Sequence, residues 1–207
     1  MPSYSLEGVI PVVDPTAFVH PQASLIGDVV VGPGCYVGPF ASLRGDFGRI
    51  ELRRGANVQD SVTAHCFPGR DTIIDVDGHI GHGAVLHGCR IGTGVLIGIN
   101  AVVMDGVEVG DYAFVGAHSF VPADMKVPAR TVVSGTPARV KRDLTDAELA
   151  WKANGTAVYQ RLSQRCRAEV GGLVEVEPLS ALDADRPALL IDASVAQPLN
   201  QYREAQA

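Results

Sequence analysis

The stretch "IGTGVLIGINAVVMDGVEVGDYAFVGAHSFV", residues 91–121, places an aliphatic residue at every sixth position: Ile91, Ile97, Val103, Val109, Val115 and Val121. A period of six matches neither the 3.6-residue turn of a helix nor the two-residue alternation of an isolated strand. It fits a short strand and a tight turn, repeated. Followed backwards, the same lattice runs through Val19, Leu25, Val31, Val37 and Leu43, slips by three, and resumes at Leu52, Val58 and Ala64. After an interruption it returns at Ile80 and Leu86 and loses one residue before Ile91. Three hexads close one coil of a triangular solenoid, with each aliphatic residue inward and glycine tolerated at the corners.

Residues 10–140 thus predict an all-β parallel β-helix of about seven coils. An inserted loop over 66–79, "CFPGRDTIIDVDGH", interrupts it, and its Pro, Gly and Asp content suits a surface segment. The repeat fades after residue 140, and "TDAELAWKANGTAVYQRLSQRC" follows. There Thr145 and Glu148 have capping-box spacing, while Leu149, Val158, Leu162 and Cys166 can share an apolar face, predicting a C-terminal α-helix over 145–168. Residues 171–207 read as an extended tail with weak periodicity.

A formal charge of −6 argues against a nucleic-acid or anionic-membrane partner, since both need a surplus of Lys and Arg on one face. Small molecules and proteins remain as partners. The chain shows neither a secretory leader nor a long apolar span, so a cytoplasmic protein is expected. The four cysteines, Cys35, Cys66, Cys89 and Cys166, have no paired spacing and read as reduced structural thiols.

Three of the six histidines fall within nine residues: His79, His82 and His87. On the lattice, His82 and His87 lie on either side of a corner and leave from different faces. They are poorly placed to share one zinc within one chain, which needs each nitrogen about 2.0–2.1 Å away. His65 precedes His87 by 22 positions, one coil of eighteen plus four looped residues, so the two can stack at the inter-strand spacing of about 4.8 Å. His82, on the adjacent face, is then placed to complete the set for a neighbouring copy, and a cyclic trimer would satisfy this at every seam. Three imidazoles leave one tetrahedral position open. His79 pairs with no other ligand and reads as structural or as a contact behind the site. His118 reads as a surface residue, with a general base as the functional alternative, and His20 reads as structural.

The set Arg44 and Asp46 in "RGD", Gln59 in "NVQD", His65, and His82 with His87 resembles the signature of gamma-class carbonic anhydrases, hexapeptide-repeat proteins with a left-handed β-helix. The resemblance implies a homotrimer in which His65, His82 and His87 hold a metal between subunits, zinc or else iron(II) or cobalt. It implies that Gln59 lies near metal-bound water and that Arg44 and Asp46 form an interface salt bridge. The stretches "ASLRGDFGRIELRRGANVQDSV" and "DGHIGHGAVLHGC" are further similar to the subfamily of phenylacetic acid degradation proteins (PaaY) and their relatives in carnitine metabolism. In some relatives a tyrosine placed like Tyr159 closes over a neighbour's site. Where archetypal members carry proton-shuttling glutamates, this chain has Phe47 and "CFPG", which disfavours fast CO2 hydration. The expected function is therefore metal-dependent hydrolysis of acyl-CoA thioesters by metal-bound hydroxide, with Gln59 and Tyr159 as catalytic candidates. The alternatives are reversible CO2 hydration, with CO2 or bicarbonate as ligand, and a non-catalytic trimeric assembly protein with a vestigial metal site.

Overall fold

The computed structural model describes residues 3–168 and 172–176, so the expected tail lies mostly outside the described residues. Short strands of two or three residues alternate with turns and stack as a parallel β-solenoid of about seven coils with three faces, consistent with a left-handed β-helix. Fifteen of the sixteen hexad positions are at most 3% exposed, and the last, Val19, packs against the same core, so the six-residue period does mark the inward row. The core extends past that row: Val127 and Val133 continue it, and alanines such as Ala23, Ala41, Ala56, Ala84, Ala101 and Ala113 fill the narrow corners.

Register along the stack follows from this filling. Leu43 pairs with Ala64, Ala64 with Leu86, and Leu86 with Val103, so every coil contributes one aliphatic residue at the same depth. Coils approach closely where the chain carries glycine; a Cβ on Gly98 would run into the backbone of Ala117. Larger corner residues, Asn100 and His118 among them, adopt left-handed backbone angles, with φ of 55° and 54°.

Three departures from the lattice shape the outer surface. In the strand Ser42–Leu52 the register against Ser24–Val31 shifts, so that Asp46, Phe47, Gly48 and Arg49 stand where the previous coil has Asp28 alone. One coil later, the loop expected over 66–79 is shorter than its polarity suggested. Thr72–Ile74 already pairs with Ile50–Leu52, and His79–Ile80 pairs with Asn57–Val58, so the insertion shrinks to 66–71 and residues 75–78 form an ordinary turn between strands. The inward residue Ile74 is fully buried, and that aliphatic anchor outweighs the aspartates around it. The third departure is the residue lost between Leu86 and Ile91.

The helix spans Asp146–Arg167 and opens with a full capping box, the Thr145 hydroxyl accepting from Glu148 N while the Glu148 carboxylate accepts from Thr145 N. Its docking face differs from the expected one. The deeply buried helix residues are Glu148, Lys152, Thr156 and Ser163, with Leu149, Val158, Leu162 and Cys166 only half-buried. The surface beneath the helix is a line of backbone carbonyls, so hydrogen bonds dock it: Lys152 to Asp77 O, Gln160 to Gly55 O, Ser163 to Cys35 O and Arg167 to Thr16 O. No helix among the described residues is long and apolar enough to cross a membrane. Cys35, Cys66 and Cys89 are buried free thiols, and desolvation pushes Cys35 and Cys89 up to about 12.

Removing a stacked core side chain leaves a cavity that rigid coils cannot close. Ile97→Ala is expected to lower unfolding free energy by about 2–5 kcal/mol, whereas Thr145→Ala, which removes one cap, costs only about 1 kcal/mol. Urea denaturation at fixed protein concentration, followed by circular dichroism, compares the two.

Candidate functional site

The structure sorts the sequence-chosen residues into two groups. Arg44, His65 and His87 occupy matching positions on three successive coils of one face, with Arg44 paired to His65 and His65 to His87. Gln59 and Tyr159 lie on another side with His82, under and beside the helix.

In the first group His65 Nδ1 and His87 Nε2 stand 3.0 Å apart. The far nitrogen of each ring meets a carboxylate: His65 Nε2 is 2.7 Å from Asp46 Oδ1, and His87 Nδ1 is 2.7 Å from Asp105 Oδ1. An ionised carboxylate only accepts, so both far nitrogens carry their protons and donate. In the neutral rings the two near nitrogens are then both lone pairs, facing each other at hydrogen-bond distance. Such an empty pair is strongly basic and readily takes up a cation between the rings, a shared proton or a metal ion. Arg44 donates to the other oxygen of Asp46 at 2.5 Å, an ion pair that lies within the chain. Burial raises the Asp46 carboxyl, but hydrogen bonds from Arg44 and His65 outweigh it and hold the group below its ordinary range. Phe47, half exposed, packs its ring 5.3 Å from His65.

Asp105 went unnoticed in the sequence, although a signal was available: it follows His87 by eighteen residues, one coil. By sequence, Asp46 stands only as the partner of Arg44. The three-residue excess at 46–49 swings it over His65, a placement that no spacing rule foretells.

In the second group Gln59 is buried and its Nε2 lies 3.1 Å from Asn57 Oδ1 and 2.6 Å from His79 Nε2. His79, read as structural, therefore anchors Gln59, and its ring also meets the edge of Tyr159 at 5.3 Å. His82 lies at the rim with its side chain 44% exposed, 3.4 Å from the Tyr159 hydroxyl and 3.4 Å from Asp60. Desolvation pushes the Tyr159 phenol up to about 12. Gln59, His82 and Tyr159 share a groove of 450 Å3 floored by Leu96 and Phe114. His118 sits at a corner two coils beyond His82 and makes no side-chain contact with either group.

No hydrogen bond, ion pair or ring contact joins His82 to His65 or His87, and among the described residues no three His, Cys, Asp or Glu side chains gather to hold a metal within the chain.

A triangular solenoid of hexapeptides with polar clusters on its outer faces defines a class, and residues 88–123 match the family described as bacterial transferase hexapeptide (six repeats). The chain belongs to the CaiE family within that class. It is 51% identical to the carnitine operon protein CaiE of Proteus sp. (strain LE138), over 91% of this chain and 94% of that protein. It is 53% identical to the CaiE of Citrobacter koseri over 91% of this chain and 94% of that protein. Among solved structures it resembles a putative acetyltransferase of Bacillus cereus, with 32% identity, a TM-score of 0.77, and coverage of 78% of this chain and 94% of that one. A hexapeptide transferase family protein from Anaplasma phagocytophilum is similar at 32% identity and TM-score 0.76, over 79% and 96% of the two chains.

These findings correct the functional expectation. Relatives more than half identical are carnitine operon proteins, not phenylacetate degradation proteins, and the related structures at 32% identity carry transferase descriptions. The metal-dependent thioesterase, with its alternatives carbonic anhydrase and a vestigial-site assembly protein, finds no support among these relatives, which are carnitine operon proteins and transferase-like hexapeptide proteins. The hexad core and the outward histidines leave all these chemistries equally possible, which is why the repeat could not separate them.

Burial, with repulsion from Lys152 and His82, pushes His79 down to about 3, against an ordinary value of about 6.5. The unfolded chain binds that proton from about pH 6.5 downward and the folded chain does not, so stability is lost as pH falls through the interval to about 3, by at most about 1.4 kcal/mol per pH unit from this group. Unfolding midpoints at pH 7, 6 and 5 should show a shallower decline in His79→Gln than in the parent chain.

Proposed function

We propose that this chain is an acyl-group transferase of the carnitine-operon type. It would pass an acyl group from a CoA thioester to a hydroxyl or amine of a small acceptor, with His65 and His87 as its proton-handling centre. The observation that carries this reading is the pair of carboxylate-anchored imidazoles whose free nitrogens converge at 3.0 Å. The transferase description of the matching family and of the Bacillus cereus relative supports the reaction class.

An imidazole tied through its far nitrogen to a carboxylate is a stronger base, and the charge it gains is offset at Asp46 or Asp105. The acceptor's O–H or N–H proton passes to the pair as its oxygen or nitrogen bonds to the thioester carbonyl carbon. When the C–S bond breaks, the pair returns the proton to the CoA sulfur. In a homotrimer, the groove holding Gln59, His82 and Tyr159 on one copy would face the His65–His87 side of the next and supply its substrate wall.

A second reading rests on the same confronted lone pairs, which also fit a divalent metal. Imidazole donors suit zinc, and iron(II) or cobalt would accept them. His65 and His87 would provide two ligands and His82 of an adjacent copy the third, its exposure leaving it free to reach outward. A metal bound there supplies Lewis acidity beside a carbonyl oxygen.

Acyl-CoA thioesters incubated with the protein and a panel of hydroxyl and amine acceptors, carnitine among them, are expected to release CoA thiol only when an acceptor is present. His65→Ala and His87→Ala should each lower that rate by about 100-fold or more. Release without acceptor, or rates unchanged in both variants, would refute the transfer. Elemental analysis decides the second reading: metal retained by the parent protein and lost in His82→Ala supports it, and no metal in the parent rejects it.

A further inference from the structure

Beneath the helix lies a charge that acyl transfer does not use. Lys152 is only 5% exposed, and among the described residues its Nζ makes a single hydrogen bond, to Asp77 O at 2.6 Å. An ammonium carries three donors, so two remain. Among the described residues no carboxylate forms an ion pair with it, and the nearby Asp77 carboxylate already accepts from Gln160 Nε2 at 3.0 Å. A buried cation with no carboxylate in direct contact is costly. Desolvation accordingly lowers the Lys152 amine to about 8, with Asp77 acting in the opposite direction.

The ammonium borders a cavity of 360 Å3 between the helix and the solenoid corners. That volume lies near the lower end of the range for small-molecule sites, about 300–1,000 Å3. The helix side is aliphatic, with Leu149, Ala150 and Ala153, and the corner side brings Tyr112, Arg130 and Asp77. Arg130 lies exposed at the rim, where it pairs with Asp146 at 2.6 Å, which leaves Lys152 as the buried cation of the cavity.

We propose that this cavity binds a short-chain aliphatic monocarboxylate, its carboxylate on Lys152 Nζ and its alkyl chain along Leu149 and Ala153. One ammonium with two spare donors matches the two oxygens of a carboxylate. At the buried end a phosphate would find only those two donors, and the Asp77 carboxylate on the same wall repels a dianion more strongly than a monoanion. The cavity shares no residue with the His65–His87 cluster, so it is independent of the transfer reaction.

Butyrate is the probe, titrated into the full-length protein by isothermal calorimetry with thermal unfolding in parallel. Saturable binding that raises the unfolding midpoint is expected. Lys152→Met, which keeps an unbranched stem without charge, should weaken binding at least tenfold. Ala153→Leu should do the same by filling the cavity from the exposed end of its wall while leaving Lys152 in place, and so tests the site even if the lysine variant does not fold. His65→Ala should bind butyrate like the parent protein, which separates this site from the transferase centre. The proposal is overturned if butyrate does not bind the parent, if Ala153→Leu binds it unchanged, or if inorganic phosphate displaces it.

Discussion

Each coil must deliver one aliphatic side chain per face to a core too narrow for anything else, and the rest of the molecule follows from that requirement. The row Leu43, Ala64, Leu86, Val103 shares one depth because parallel coils hydrogen-bond in register, so the residue after each inward position stacks outward on the residue after the last. A solenoid of this kind converts spacing in sequence directly into adjacency on the surface. Arg44, His65 and His87 form a column for that reason, although 43 residues separate its ends.

The column becomes chemical where the lattice is broken. The excess residues at 46–49 carry Asp46 sideways onto His65, and the loop at 66–71 absorbs the extra length of the next coil without disturbing Ile74 or Ile80 below it. Carboxylates at both ends fix the proton positions on the two rings, and with them the confrontation of lone pairs that readily takes up a proton or a metal.

The helix obeys a different rule. Hydrophobic spacing suggested an apolar face, yet the helix rests on exposed corner carbonyls of four coils, which need donors more than they need hydrocarbon. Glu148, Lys152, Thr156 and Ser163 turn inward in consequence. Arg142 clamps Glu148 with two hydrogen bonds of 2.7 and 2.8 Å, which closes the capping box on one side and ties the helix start to the last strand on the other. The same docking brings Tyr159 over His79 and His82 and leaves Lys152 beside a cavity with donors to spare.

The hexad period alone determined the solenoid, its extent, the buried row and the stacking of His65 on His87, because in a repeat fold the core periodicity and the surface periodicity are the same number. The boundaries of the inserted loop were less legible, since a single buried Ile74 outweighed a run of polar neighbours. Sequence could not show that Asp46 reaches His65, that Asp105 backs His87, that His79 holds Gln59, or which side of the helix turns inward. Those depend on where inserted residues swing and on which backbone groups lie unpaired beneath a docking element, and only the assembled coils fix such positions.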